Sequence, residues 1–99
     1  MPAYKTRKIV SSLTKKGFSP KKGKSKHIKY TLYVDGKKTS VFTWISHGLD
    51  EYGDKLLNAM RKELRFETTQ ELDELIECPM SEDAFVSLLQ KRGKIRIRN

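Results

Sequence analysis

The chain has 99 residues, a single cysteine and a formal net charge of +9, with an isoelectric point near 9.8. That length suits one domain, since single domains run from about 50 to 250 residues, and a lone Cys78 excludes both an internal disulfide framework and a zinc site built on cysteines. No N-terminal apolar run has signal-peptide length, and no stretch approaches the ~18–20 apolar residues of a membrane span, so a cytoplasmic protein with no membrane partner is expected.

The charge is segregated along the chain. Residues 1–48 hold twelve Lys and Arg against one acid, Asp35, whereas 49–90 hold four bases against eleven acids and 91–99 add five bases and no acid. A solvated surface mixes signs, so this separation predicts one positive face with an acidic region behind it. Phosphate binding is the usual use of such a face, and RNA is the expected partner.

The first predicted element is a helix over 6–16, with Ile9, Val10 and Leu13 on one face, Thr6 as its cap and Gly17 as the left-handed residue that closes it. Phe18 opens a short strand that leads into the run Lys21-Lys22-Gly23-Lys24-Ser25-Lys26, where Gly23 marks a bend. Over 27–34 the chain alternates: Ile28, Tyr30, Leu32 and Val34 point one way, Lys29, Thr31 and Tyr33 the other. Asp35-Gly36 is a hairpin turn, and the return strand over 39–46 carries Val41, Thr43 and Ile45 on one face and Phe42 and Trp44 on the other.

Gly48 ends the sheet. A helix is expected to begin near Asp50, with Leu49, Tyr52, Leu56, Leu57, Met60 and Leu64 at helical spacing and the acids Asp50, Glu51 and Asp54 suited to its N-terminal dipole. Thr68-Thr69-Gln70-Glu71 is a capping box that opens a short helix with Leu72, Leu75 and Ile76, and Pro79 ends it. Ser81 caps a last helix carrying Phe85, Leu88 and Leu89, and Gly93 closes it ahead of the basic tail Lys94-Ile95-Arg96-Ile97-Arg98. The order predicts an α+β fold, an α-β-β-β-α sandwich of double-stranded-RNA-binding type with a C-terminal helical extension.

Neither histidine has a carboxylate nearby at metal-ligand spacing, so no metal and no cofactor is expected. His27 opens a strand directly after the lysine run. A neutral imidazole there can act as general base on an RNA 2′-hydroxyl, with Lys24 or Lys26 stabilising charge on the phosphorane oxygens. The alternative is a surface histidine that only hydrogen-bonds a phosphate. His47 reads either as a turn residue at a strand end or as a second base. Tyr30, Tyr33, Phe42 and Trp44 are either core residues or platforms for stacked bases, with Tyr33 and Trp44 the better candidates for exposure. Cys78 reads as a buried apolar group at a helix end.

Several of these motifs together resemble one family. Leu13…Gly17-Phe18, then Gly23-Lys24-Ser25-Lys26-His27-Ile28-Lys29-Tyr30, then Lys37-Lys38…Val41…His47 and the helix with Leu56-Leu57…Met60 are similar to HicA-like (YcfA-type) proteins, over roughly residues 5–65. These are the toxins of toxin–antitoxin pairs. The resemblance implies a double-stranded-RNA-binding-like core over 1–65, with 66–99 as a helical extension and basic tail packed on the same domain. It implies an endoribonuclease that cleaves mRNA, held inactive by a HicB-like antitoxin, with His27 catalytic and Lys21, Lys22, Lys24, Ser25, Lys26 and Lys29 binding RNA. The family's usual Gly-Ser-His stands here as Ser25-Lys26-His27.

Two other readings compete with the enzyme. One is a non-catalytic RNA-binding module of the same fold, against which the acids at the start of the second helix argue, because duplex binding puts lysines there. The other is a DNA- or ribosome-associated basic protein, for which no recognition-helix pattern exists.

Overall fold

Alternation, turn chemistry and capping residues place most boundaries of the fold. The computed structural model describes residues 3–22, 27–46, 48–77 and 79–95, with the side chain of Lys22 outside the described part. In chain order the elements are β1 (Tyr4–Lys5), α1 (Thr6–Lys15), β2 (Phe18–Lys22), β3 (His27–Val34), β4 (Lys37–Ser46), β5 (Glu51–Tyr52), α2 (Asp54–Glu63), α3 (Thr69–Glu77) and α4 (Glu82–Lys91). The result is a small α+β domain in which β2, β3 and β4 form a three-stranded antiparallel sheet in sequence order, accompanied by four helices. Gly23, Lys24, Ser25, Lys26, His47 and Cys78, all named in the sequence reading, lie outside the described residues.

The β3–β4 hairpin turns at Asp35 and Gly36, with φ of 52° and 77°, the left-handed pair a two-residue turn requires. A register irregularity falls between Thr31 and Tyr33. Thr39 bridges it: its hydroxyl donates to the Leu32 carbonyl at 2.8 Å and accepts the Val41 N–H at 3.2 Å. Gly17 closes α1 at φ 97°, and a Cβ there would lie 2.7 Å from Glu82 Oε2 and 3.1 Å from the Tyr33 carbonyl oxygen. The position needs glycine both for its dihedral and for space.

Period two sends Ile28, Tyr30 and Leu32 of β3 and Val41, Thr43 and Ile45 of β4 to the inner face, where all are buried. All but Thr43 share one apolar core with Ile9 and Leu13 of α1, Leu57 and Met60 of α2, Leu72, Leu75 and Ile76 of α3, and Phe85 and Leu89 of α4. Phe85 joins the last helix to the sheet through rings, stacked on Phe18 at 5.9 Å and tilted against Phe66 at 5.3 Å. Two polar ties add direction to this packing. The buried Ser12 hydroxyl donates to the Ile76 carbonyl at 2.7 Å, and the Tyr4 hydroxyl donates to Asp73 Oδ1 at 2.9 Å. Burial, and then that carboxylate, push the Tyr4 hydroxyl above its ordinary range.

Both downstream helices start at their expected caps. Thr68 Oγ1 accepts the Glu71 N–H at 3.3 Å while Glu71 Oε1 accepts the Glu67 and Thr68 N–H groups at 2.9 and 3.4 Å, and Ser81 Oγ accepts the Ala84 N–H at 3.1 Å. Gly93, at φ 70°, closes α4 with its N–H on the Gln90 carbonyl and the Lys94 N–H on that of Leu89. The same pair of bonds closes α2, from Arg65 to Lys62 and from Phe66 to Arg61, although the left-handed residue is Arg65 at φ 66°.

Four sequence expectations need correction. Thr6 does not cap α1: the N-cap is Lys5 without a side-chain bond, and the Thr6 hydroxyl and N–H instead donate to the Leu49 and Asp50 carbonyls at 2.6 and 2.8 Å. Asp50 and Glu51 do not open the second helix. Glu51–Tyr52 is a strand paired with Tyr4–Lys5, and α2 begins after Gly53 with Asp54 as the sole acid of its first turn. Leu49 and Tyr52 therefore precede the helix. Leu56 faces water at 40 % exposure, because the buried stripe of α2 runs through Leu57 and Met60.

Candidate functional site

The outward face of the sheet is set by the same alternation that fills the core. Residues 27, 29, 31 and 33 of β3 point away from it. Their partners put His27 opposite Ser46, Lys29 opposite Trp44 and Thr31 opposite Phe42, while β2 sets Lys21 opposite Lys29 and Ser19 opposite Thr31. A row Lys21–Lys29–Trp44 thus crosses the sheet. Like charges directly opposite each other on neighbouring strands are unfavourable by a few tenths of a kcal/mol or more, so Lys21 against Lys29 is an arrangement that an anion would relieve.

Lys29 and the two aromatic residues form one unit. The Lys29 ammonium lies 4.3 Å from the Phe42 ring centre and 5.9 Å from that of Trp44, and the two rings meet edge to face at 6.2 Å and 88°. An exposed cation–π contact contributes roughly 0.5–1 kcal/mol. It fixes the ammonium beside a Trp44 that is 41 % exposed. Tyr33, at 37 %, stands further along β3 opposite Lys38, and a shallow groove of about 280 Å³ runs between Lys21, Lys29, Tyr33, Lys38 and Trp44. Tyr30, by contrast, is core: burial pushes its hydroxyl up, and it offers no stacking surface on this face.

His27 stands exposed at the first position of β3. It lines a cleft of about 230 Å³ at the free edge of β4, with Trp44 and Ser46 from the sheet, Leu49 and Tyr52 from the following segment, and Leu56, Met60 and Glu63 from α2. The cleft holds two polar groups the sequence reading did not single out. The Tyr52 hydroxyl accepts the Ser46 N–H at 2.9 Å, and Glu63 Oε1 accepts the Thr43 hydroxyl at 2.6 Å. Neither had a local signal. Glu63 looks like any acid on a helix surface, and Tyr52 falls on a helical period that the β1–β5 pairing overrides.

Of the predicted site residues, the fold brings His27, Lys21 and Lys29 to one face. Lys22 lies in β2 by its backbone, and Lys24, Ser25 and Lys26 fall outside the described residues. Among the described residues no group of three His, Cys, Asp or Glu side chains converges for a metal, and no helix is long and apolar enough to cross a membrane. A second, larger cleft of about 620 Å³ opens where α1 begins, lined by Lys5, Arg7, Tyr30 and Asp50, and Leu49 separates it from the His27 cleft. Comparison with protein-family profiles, with curated proteins and with solved structures gives no match for this chain.

Proposed function

We propose that this chain is a metal-independent endoribonuclease of the HicA-like mRNA interferase type, the toxin of a toxin–antitoxin pair, with His27 as general base. In this reading the α1-β2-β3-β4-α2 succession is a double-stranded-RNA-binding-like core over 1–65, and 66–99 is its extension. The observation that carries it is the position of His27: it shares the outward face with Lys21, Lys29 and Trp44 and stands at the lip of a cleft.

The chemistry follows from that placement. Lys21 and Lys29, with Lys22, Lys24, Ser25 and Lys26 of the preceding segment, hold the phosphates of a single strand, and the exposed rings stack its bases. His27 takes the proton from a ribose 2′-hydroxyl, the 2′-oxygen attacks the adjacent phosphorus, and the bond to the 5′-oxygen breaks. The products are a 2′,3′-cyclic phosphate and a 5′-hydroxyl, whose proton comes from the imidazolium or from water. A lysine ammonium beside the phosphorane stabilises its added charge. A HicB-like antitoxin would restrain the enzyme by covering the His27 face.

A non-catalytic RNA-binding module is the second reading, favoured by the Lys29–Phe42–Trp44 unit, which can grip a base without help from His27. Incubating the protein with single-stranded RNA in EDTA, beside His27→Ala, separates the two. The enzyme reading expects cyclic-phosphate fragments from the wild type and binding without cleavage from the variant. Equal cleavage by His27→Ala would remove His27 from the mechanism, and binding without cleavage by both would establish the module.

A further inference from the structure

Four large apolar side chains are exposed on the described surface, Tyr33, Trp44, Leu49 and Leu56, and three of them line the cleft beside His27. Apolar groups gathered at one cleft with a few convergent polar atoms mark a ligand site. Here the polar atoms have unused capacity. Tyr52 is only 4 % exposed; its hydroxyl oxygen accepts the Ser46 N–H, and among the described residues nothing accepts its own proton. Glu63 engages Thr43 through Oε1, and among the described residues Oε2 has no partner. The cleft therefore offers one hydroxyl donor and one carboxylate acceptor beside an indole.

Guanine is the base with the complementary edge. Its O6 accepts, and its N1–H and N2–H groups both donate, as a carboxylate requires. Adenine and cytosine would turn a ring-nitrogen lone pair toward the carboxylate, and uracil would set a carbonyl beside its single N–H. We infer that this cleft is a guanine subsite, in which the base lies against Trp44, Tyr52 donates to O6 and Glu63 accepts from N1 and N2. The inference rests on the RNA-cleaving reading for its purpose: a guanine seated there belongs to the nucleotide whose ribose meets His27.

The chain contains one tryptophan, so its fluorescence reports on the cleft directly. The full chain is titrated with the 3′-monophosphates of guanosine, adenosine, cytidine and uridine. The guanosine nucleotide should quench Trp44 at about tenfold lower concentration than the other three, the scale of one bidentate base contact. Glu63→Gln still accepts the Thr43 hydroxyl through its amide oxygen, keeps the fold, and should bring all four nucleotides level. Equal quenching by the four, or a guanine preference that survives Glu63→Gln, overturns the inference. The outcome is independent of catalysis. Guanine-selective binding by a protein that leaves RNA intact refutes the nuclease and keeps the subsite, whereas cleavage with no guanine preference at the cut refutes the subsite and keeps the nuclease.

Discussion

Glu71 joins α4 to the start of α3 through four hydrogen bonds, and acid should expose this. Its two oxygens accept from Arg92 Nη1 and Nη2 at 2.9 and 2.6 Å, and Oε1 also caps the start of α3 through the Glu67 and Thr68 N–H groups. The Arg92 hydrogen bonds chiefly, together with those backbone N–H groups, hold the carboxyl at about 2 against its ordinary 4.5. A depressed native pKa means that the unfolded chain binds the proton more readily. The stabilisation is therefore complete above pH 4.5 and disappears as pH falls towards about 2. At full value that interval corresponds to about 3 kcal/mol. Solvent reaching the pair from the surface screens it, and about 1–2 kcal/mol is the expected loss. Urea unfolding followed by far-ultraviolet circular dichroism at steps from pH 6 to pH 2 measures it, compared with Glu71→Gln. The glutamine keeps an acceptor for the cap but no charge, so it should be less stable at pH 6 and lose less on acidification. Parallel stability curves for the two proteins across pH 2–5 would refute the reasoning.

Two further substitutions test the packing and the backbone. Phe85→Ala removes the fully buried ring that joins α4 to Phe18 and Phe66, and should cost about 3–5 kcal/mol in urea unfolding; a loss below about 1 kcal/mol would make α4 peripheral to the core. Arg65→Gly relieves the left-handed residue that closes α2 and should add about 1 kcal/mol, a rise of roughly 4–8 °C in Tm by thermal melting. No rise would mean that the Arg65 side chain compensates its own dihedral.

Where local chemistry decides structure, the sequence was legible. Asp35-Gly36, the Thr68–Glu71 capping box, Ser81 and the closing Gly17 and Gly93 each have a residue whose preference matches the geometry observed, and the alternation of 27–34 placed Ile28, Tyr30 and Leu32 in the core, although Thr31 on the other side is buried as well. What stayed hidden depends on distant pairing. Tyr4–Lys5 and Glu51–Tyr52 make a strand pair two residues long, too short for any period, and it draws Glu51 and Tyr52 out of the helix their spacing suggested. Thr6 resembles a cap until the 49–50 carbonyls approach from across the fold and take its hydroxyl and N–H. Arg65 stands where the next glycine would be sought, so nothing announced the turn. His27 and the lysines of its face were visible as a cluster, but the cleft was not, since Ser46, Tyr52 and Glu63 come from three separate segments.

The two charge blocks of the sequence reach the surface by a route that composition alone does not reveal. Lys5 pairs with Glu51 at 3.5 Å, Lys8 with Glu77, and Arg92 with Glu67 and Glu71 at 3.2 and 2.6 Å. The exposed pairs Lys5–Glu51 and Lys8–Glu77 add little stability singly, but together with those of Arg92 they neutralise bases on the helical side. Among the described residues no ion pair involves Lys21, Lys29 or Lys38, so the outer side of the sheet keeps its positive field. A duplex would meet only Asp54 at the start of α2, where the sequence suggested three acids. For the RNA ligand proposed above, shape argues against a duplex: Trp44 and Tyr33 stand out from the positive face, and flat rings match unstacked bases where a paired helix would present phosphate ridges and a shallow groove. In the proposed reading the substrate is a single strand, its phosphates along Lys21 and Lys29 and one base turned into the cleft at the free edge of β4.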